Sequence, residues 1–530
     1  MTGTSARKGE AAPPNGDAPA TDLSEARTRV LHIQTKLHQW ATNDPRKRFD
    51  DLFNVVCHPA TLAVAWDRIK SNQGSRTAGT DGITKYHIEH RRGGAFAFQQ
   101  EIRSALRDRT FRPYPVRQHG IPKADGKVRY LGIPTIRDRV VQMALRLILE
   151  PIFEADFVAT SYGFRPNRRA HDAIAEVYHF AQAPSSYEYV VEGDIEACFD
   201  RIDHASLMAR IRRRVGDRRV LALCGAFIKA GVLSEAGTTA ESTMGTPQGG
   251  IISPLLANIA LSALDEHFDR AWREQSRYVG RRGYLHHTGR ATYRLIRYAD
   301  DFVLMVKGTR AQAEALRDET ATLLASELKL TLSPAKTRVT HIDDGFDFLG
   351  FRIQRKTRGG KGTVYTFPSR RSFTAVKRAV KAHTRQHTRS LALRQMLGQV
   401  NPILRGWTGY FRFAASKRTF AYLDHYAWWR VARWLWRKHK QPSWKRMRRR
   451  QLRNWEIGED GVMLFRPSRV TVERYRYRGT RISTPWGSRS TSTDPPARGS
   501  AIDQTPTVVM ESRMRGNAHV RFGGRSGETG

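Results

Sequence analysis

Cysteine is scarce in this sequence of 530 residues, which has only Cys57, Cys198 and Cys224. The three lie far apart and form no CxxC pair. The sequence therefore excludes both a disulfide framework and a cysteine-paired zinc module. So few cysteines are typical of a protein from a reducing compartment.

Long apolar runs are also missing. The longest candidate, 251–264, is shorter than the roughly 18–20 residues that a membrane-spanning helix needs, and Ser253, Pro254 and Asn258 interrupt it. The N-terminus lacks the apolar stretch of a secretory signal. These absences predict a soluble intracellular protein.

Acidic residues are few beside the basic ones. The chain has 50 Asp and Glu against 90 Lys and Arg, a formal net charge of +40. Such an excess favours polyanionic partners. Hydrophobic residues make up 40% and aromatic residues 10%, enough for a packed core. The length predicts roughly three to four structural units.

The pattern along the chain separates ordered from disordered parts. Segments 1–21 and 487–530 are polar and rich in Gly, Ser and Pro, which predicts disorder. Between them, helices predicted at 23–52, 61–70, 138–151 and 311–328 alternate irregularly with strands, which indicates an α+β fold. The strand signal ends near Lys377. The stretch that follows is helical, basic and aromatic.

Three acidic residues form the main candidate site. Asp194 lies within an alternating strand predicted at 189–197, while Asp300 and Asp301 occupy a turn between the two short strands predicted within 294–306. Neighbouring carboxylates repel each other unless a cation neutralises them. Hard oxygen ligands suit Mg²⁺ or Mn²⁺. The alternative is a set of solvated turn charges, but the apolar flanks indicate a turn held by a core.

Eight sequence blocks occur in a fixed order and give these acids a context. Together they resemble the ordered blocks of bacterial group II intron-encoded reverse transcriptases, or maturases. RGWTGYF (405–411) resembles the start of that family's thumb, and the resemblance covers roughly residues 45 to 440. The blocks are AGTDG (78–82), IPKADGKVRYLGIPTIRDRVVQMAL (121–145), SYGFRPNR (161–168), GDIEACFDRID (193–203), GTPQGGIISPLLANIAL (245–261), RYADDF (297–302), LTLSPAKT (330–337) and FDFLGF (346–351).

The resemblance implies a right-hand polymerase architecture. Fingers and palm would contain antiparallel sheet, and an α-helical thumb would follow. The segments expected on this basis are a disordered arm at 1–21, an N-terminal extension with the start of the fingers at 22–120, the fingers and palm at 121–365, the thumb at 366–440, a basic and reduced DNA-binding region at 441–486, and a disordered tail at 487–530.

The same resemblance implies the roles of the acidic residues. Asp194 and Asp300 would bind two Mg²⁺ ions, with Mn²⁺ as a substitute, and Asp301 would lie beside them. The backbone carbonyl of Ile195 would complete one coordination sphere. The implied reaction is attack of a primer 3′-hydroxyl on the α-phosphorus of a deoxynucleotide, where metal ions stabilise the developing charge.

Five residues would bind the nucleotide. Lys123 and Arg129 resemble the finger residues that grip the triphosphate, although a solvated basic hairpin would look the same in isolation. Phe199 would pack beneath the sugar and select deoxynucleotides. The alternative interpretation is that Phe199 is an ordinary core residue. Gln248 would lie near the nascent base pair. Lys336 would help neutralise phosphate charge.

The remaining blocks concern the primer and the RNA. Leu349 and Gly350 would form the tip of the primer grip. The tryptophans of the helical unit are assigned mainly to packing and its charged faces to nucleic acid. The residues expected to bind nucleic acid are Arg437, Lys438, Lys440, Lys445, Arg446, Arg448, Arg449 and Arg450.

The implied function is an RNA-directed DNA polymerase that also binds its intron RNA and assists splicing and mobility. The implied partners are intron RNA, an RNA template with a DNA primer, target DNA and deoxynucleotides, in the bacterial cytosol and nucleoid. No cysteine follows Cys224, so a Cys/His DNA-cutting module is expected to be absent. Two alternatives stay open: a maturase acting only as a splicing factor, and a reverse transcriptase recruited to defence or repair.

Overall fold

The structure of the chain is a computed structural model that describes residues 22–122, 128–233, 239–240, 245, 249–358, 361–439, 443–446, 452, 455–479 and 481–487. The expected arm at 1–21 and the expected tail beyond Gly487 lie outside these residues. Among the described helices, none is long and apolar enough to cross a membrane.

The N-terminal part is helical. The Asp22 side chain caps its first helix by accepting a hydrogen bond from the Ser24 amide at 3.0 Å. This helix ends at Asn43, not at residue 52 as predicted, because Asp44 precedes a proline and is extended. The elements are α1 (Leu23–Asn43), α2 (Phe53–Val56), α3 (Pro59–Lys70), α4 (Lys85–His90), α5 (Gly94–Arg107), β1 (Val116–Pro122), β2 (Val128–Ile133) and α6 (Ile136–Glu154).

Helix α6 continues past the proline at which it was predicted to stop. Pro151 has no amide hydrogen to give to the carbonyl of Leu147. The side chain of Gln34, from α1, donates to that carbonyl instead, with Nε2 2.7 Å from the oxygen. Because the freed carbonyl is satisfied from outside, the helix extends to Glu154, and α1 is fixed against it.

The middle of the chain builds the fingers and palm. Strand β1 pairs antiparallel with β2, which confirms the predicted finger hairpin, and parallel with β4. The elements are α7 (Ala170–Ala181), β3 (Tyr189–Asp194), α8 (Cys198–Arg201), α9 (His204–Arg212), α10 (Arg218–Lys229), β4 (Val232–Leu233), β5 (Thr239–Ala240), α11 (Ser253–Gln275), α12 (Arg281–His287), β6 (Thr292–Tyr298), β7 (Asp301–Lys307), α13 (Arg310–Leu328) and β8 (Arg338–His341).

The palm sheet has the strand order β6-β7-β3-β8, and every pair in it is antiparallel. Successive side chains of a strand point to opposite faces. Val191 and Leu304 therefore pack on one face with α11 and α13, while Val190 and Met305 join the core on the other face. Burial on both faces fixes the register of the central strands.

The thumb follows a second, smaller sheet with the order β11-β10-β9. Its three helices share one core with α7 and the second face of the palm sheet. This confirms the α+β fold with a helical thumb, while the predicted segment boundaries stay predictions. The elements are β9 (Phe346–Phe348), β10 (Phe351–Arg358), β11 (Lys361–Pro368), α14 (Arg370–Ala382), α15 (Leu393–Phe411) and α16 (Lys417–Lys438).

The described C-terminal part, 455–479 and 481–487, includes the short strands β12 (Gly458–Glu459) and β13 (Val462–Met463) and packs against the rest of the chain. We call its last portion, 472–487, the C-terminal strap. It contacts the thumb through the Glu473 amide and α7 through an ion pair between Arg478 and Asp172. It then reaches α1, where Trp486 lies against His38. Described apolar residues of this part, such as Ile457, Leu464 and Ile482, belong to the thumb core; a DNA-binding role for 441–486 stays a prediction.

Replacing Trp486 with alanine tests the anchoring of the strap. Trp486 is 5% exposed, so its loss would leave a cavity and cost about 3 kcal/mol. We expect a lower urea midpoint for Trp486→Ala. Tyr422→Ala is the matched control, because Tyr422 is 62% exposed. Equal midpoints for the two variants would show that the strap does not anchor α1.

Candidate active site

The register of the palm sheet brings Asp194 and Asp301 together. Strand β3 pairs with β7 so that Asp194 is directly opposite Asp301. Residues in such positions have Cα atoms roughly 4.5–5.5 Å apart. Ala299 and Asp300 form the two-residue turn that joins β6 to β7, since Tyr298 pairs with Asp301. Asp301 begins β7 and does not lie in the turn as predicted. The three acids of the sequence prediction therefore meet at one edge of the palm.

The fully buried side chain of Arg297 holds this turn. Its Nη1 donates to the carbonyl of Ala299, the first residue of the turn, at 2.7 Å. Ala299 has a left-handed backbone with φ 59°. The other guanidinium hydrogens go to Asp265, Asn258 and Ser161. All five donors of this arginine are thus used inside the protein.

Helix α11 binds Arg297 directly and also contacts the loop around Gly163. Asp265 and Asn258 both lie on α11, and Asp265 accepts from Arg297 Nε at 2.7 Å. Asn258 Oδ1 accepts from Arg297 Nη1 at 3.0 Å, while Asn258 Nδ2 donates to the carbonyl of Gly163 at 2.8 Å. A Cβ placed on Gly163 would lie 2.3 Å from the Ala299 nitrogen. The loop around Gly163 therefore touches the acidic turn through its backbone.

The electrostatics of the site reflect three adjacent carboxylates. Asp301 is open to solvent on one side but surrounded by protein elsewhere. This desolvation, with the negative charges of Asp300 and Asp194, raises the pKa of Asp301 to about 7. Lys336 opposes the shift. Its Nζ lies 2.8 Å from Oδ2 of Asp194, so the pair is a partly exposed ion pair.

The three carboxylates at the palm edge are suitable ligands for a divalent cation. Carboxylate oxygens are the ligands that Mg²⁺ prefers, and desolvation together with the charges of Asp300 and Asp194 raises the pKa of Asp301 despite the opposing charge of Lys336. Within the described ranges, no group of three or more Asp, Glu, His or Cys side chains is arranged so that it could hold a metal ion by itself. A metal ion would therefore also need ligands from a backbone carbonyl, water or substrate.

Ile195 was predicted to offer such a carbonyl. Its side chain is buried, and its backbone forms an isolated bridge to Leu332. The hydrogen bonds at this bridge are from the Glu196 amide to Thr331 and from the Ser333 amide to the Asp194 carbonyl. Neither of these bonds uses the Ile195 carbonyl.

The predicted nucleotide-binding residues are described in part. Arg129 is half-buried on β2, opposite Ile121, so it lies on the finger hairpin as expected. Phe199 is half-buried on α8 and meets Phe164 edge to face, with ring centroids 6.4 Å apart. Lys123 and Gln248 lie outside the described residues.

The loop that carries Gln248 is held at its described ends. The amide of Gly245 donates to the Ile202 carbonyl at 2.9 Å, and the Gly245 carbonyl lies 2.6 Å from His204 Nε2. Gly249 has φ 118° and approaches the Gly132 carbonyl so closely that a Cβ would lie 2.6 Å from it. The loop therefore bridges the palm and strand β2.

Leu349 and Gly350 form the tip of a two-residue turn, as predicted, because Phe348 pairs with Phe351. Both tip residues have positive φ, 49° and 82°. The thumb holds this turn, since the hydroxyl of Tyr410 donates to the Leu349 carbonyl at 2.9 Å. A hydrogen bond from the thumb therefore holds the backbone of the candidate primer grip.

The predicted nucleic-acid-binding residues have different environments. Arg437, Lys445 and Arg446 are exposed. Lys438 is different: its Nζ donates to the carbonyls of Arg389 and Leu391, both at 2.8 Å, and so helps to hold the thumb together. Lys440, Arg448, Arg449 and Arg450 lie outside the described residues.

Sequence reasoning missed the residues that support the turn. Arg297 is the first letter of RYADDF, and Asn258 lies in the LLANIAL stretch, so both fall inside blocks that were identified. Their signal was a polar residue within an apolar run. Only the fold shows that Arg297, Asn258 and Asp265 meet each other.

A right-hand palm with paired aspartates at a β-turn defines a nucleic-acid polymerase of the reverse transcriptase class. Residues 121–353 match the family model "Reverse transcriptase (RNA-dependent DNA polymerase)". Residues 373–454 match "Group II intron, maturase-specific domain". The chain belongs to the group II intron-encoded reverse transcriptases. It is an RNA-directed DNA polymerase by family, and that family generally uses divalent metal ions and binds nucleic acids.

The chain is similar to several individual proteins. Protein YkfC of Escherichia coli (strain K12) is 39% identical over 65% of this chain and 93% of its own length. Group II intron-encoded protein LtrA of Lactococcus lactis subsp. cremoris is 33% identical over 59% of this chain and 58% of its own length. Among solved structures, telomerase from Candida albicans in complex with a telomeric RNA fragment covers 64% of each chain at 12% identity and a TM-score of 0.34.

Substituting Gly163 with alanine tests the support of the acidic turn. The added Cβ would collide with the Ala299 backbone, so the turn must move. A displacement of about 1 Å can cost roughly 100-fold in rate, and we expect a primer-extension loss of that order. Gly406→Ala is the control, since a Cβ there meets nothing within 4 Å. If both variants extended primers equally, the contact with the turn would have no catalytic role.

Proposed function

We propose that this chain extends a DNA primer on an RNA template with Asp194, Asp300 and Asp301 as its catalytic residues. The observation that carries the proposal is the β3–β7 register, which sets Asp194 opposite Asp301 beside the turn that contains Asp300. The negative charges of these carboxylates repel one another, and this repulsion supports a site that binds cations.

Two Mg²⁺ ions, with Mn²⁺ as a substitute, would be held by these aspartates and the Ile195 carbonyl. Bound metal would help to deprotonate the primer 3′-hydroxyl and stabilise the charge on the leaving pyrophosphate. The residues themselves hold position: Arg297 fixes the turn, and the antiparallel ladder fixes Asp194. Lys336 is two-thirds exposed, so its ammonium can leave Asp194 and meet the incoming phosphates.

The fingers would hold the nucleotide. Arg129 and Lys123 would pair with the triphosphate oxygens, because cationic side chains suit phosphate. Phe199 would pack against the deoxyribose and exclude a 2′-hydroxyl; its position on a short helix that begins four residues after Asp194 supports this. Gln248 would contact the nascent base pair from a loop anchored at Gly245 and Gly249.

The thumb would hold the primer and the RNA. Tyr410 connects the thumb to the candidate primer grip at Leu349 and Gly350. The maturase-specific match at 373–454 supports binding of intron RNA and a role in splicing and mobility. The expected partners are therefore intron RNA, an RNA template with its DNA primer, and target DNA, in the bacterial cytosol.

Asp300→Ala should abolish primer extension with Mg²⁺, because the site loses a carboxylate ligand from its turn. The assay is extension of a DNA primer on an RNA template by purified protein, with and without EDTA. Asp318→Ala, which removes an exposed acid of α13, is the control and should retain activity.

The same preparation separates the alternatives. Wild-type protein that makes no cDNA, yet accelerates splicing of a group II intron RNA, would be a maturase without polymerase function. Wild-type protein that makes cDNA but neither binds intron RNA nor helps to splice it would support the alternative of a reverse transcriptase recruited to defence or repair.

A further inference from the structure

A pocket of about 340 Å³ on the thumb has an unusual lining. It lies between the end of α14, the turn at 386–390 and the second half of α16. Among the described residues that line it, none is acidic. Six are cationic: Lys381, Arg385, Arg389, Arg430, Arg433 and Arg437.

The wall of this arginine pocket is fixed before any ligand arrives. Arg430 donates through Nε to the Thr384 hydroxyl at 3.0 Å and through Nη2 to the Thr384 carbonyl at 2.9 Å. Trp434 donates through Nε1 to the Thr388 hydroxyl at 3.0 Å. These bonds connect α16 to the opposite wall, so the pocket is a defined cleft between helices.

The charges in the pocket repel one another. Burial, together with the nearby charges of Arg437, Arg433 and Arg385, lowers the pKa of Arg430. Some arginines elsewhere in the chain have carboxylate partners, as Arg297 has Asp265 and Arg478 has Asp172. The pocket contains six cations without such a partner among its lining residues, which destabilises the free protein.

We propose that the arginine pocket binds successive backbone phosphates of an RNA strand. One phosphodiester carries a single negative charge, so six cations match several neighbouring phosphates better than one small anion. The planar guanidinium group suits bidentate contact with phosphate oxygens. All six cations lie within the segment that matches the maturase-specific domain. The inference rests on the proposed function, because RNA is the polyanion assigned to the thumb.

The experiment compares two double variants with equal loss of charge. Arg385→Gln with Arg433→Gln removes two exposed cations of the pocket. Arg277→Gln with Arg290→Gln removes two exposed cations that flank α12, outside both the pocket and the thumb. The probe is a labelled single-stranded RNA, whose dissociation constant is measured at several salt concentrations.

The pocket variant should bind the RNA roughly tenfold more weakly, and its slope of log affinity against log salt should be smaller by about one to two. The control should keep the wild-type slope to within a few tenths. Without RNA and at low salt, the pocket variant should also melt at a higher temperature than the control, because repulsion is relieved.

The outcomes are distinguishable. Binding and melting that are the same in both variants would overturn the pocket assignment while leaving the polymerase proposal intact. Failure of wild-type protein to bind RNA at all would instead overturn the proposed function. Displacement of RNA by inorganic pyrophosphate from wild type, but not from the pocket variant at equal ionic strength, would show a small-anion site and reject the RNA strand.

Discussion

The buried ion pair between Arg297 and Asp265 is the constraint on which the palm edge with the three candidate acids depends. Both side chains are about 1% exposed or less, and the arginine also holds Ala299 in the turn next to Asp300. Removing one partner of such a pair leaves an uncompensated charge and costs about 3–5 kcal/mol. The pair joins the palm hairpin to α11, so the position of the acids is set by the protein core and not by the exposed turn.

Charge is organised in opposite ways in two parts of the molecule. At the palm edge, carboxylates are close together in a chain with a net charge of +40, and Lys336 compensates them only in part. On the thumb, cations are close together, and none of the described residues that line the arginine pocket is acidic. Each arrangement is unfavourable in the free protein and becomes favourable with a partner of opposite charge. The C-terminal strap, anchored at Trp486, connects thumb, palm and α1.

The sequence predicted the elements with the strongest patterns. The acidic hairpin, the grip turn at Leu349 and Gly350, and the helical thumb all lie where the blocks and the apolar periodicity indicated. The predicted helix end at Pro151 was wrong because the distant side chain of Gln34 satisfies the freed carbonyl, and the helix predicted at 23–52 was too long because Asp44 precedes a proline. The roles of Lys123 and Gln248 stay predictions.

What the sequence determined alone was local: strand alternation, the acidic turn, the excess of positive charge and the order of the family blocks. The tertiary structure decided which distant residues meet. The contacts of Asp194 with Asp301, and of Arg297 with Asn258 and Asp265, join segments separated by tens of residues. Such contacts follow from sheet register and helix packing, which bring together groups whose spacing along the chain carries no signal of their proximity.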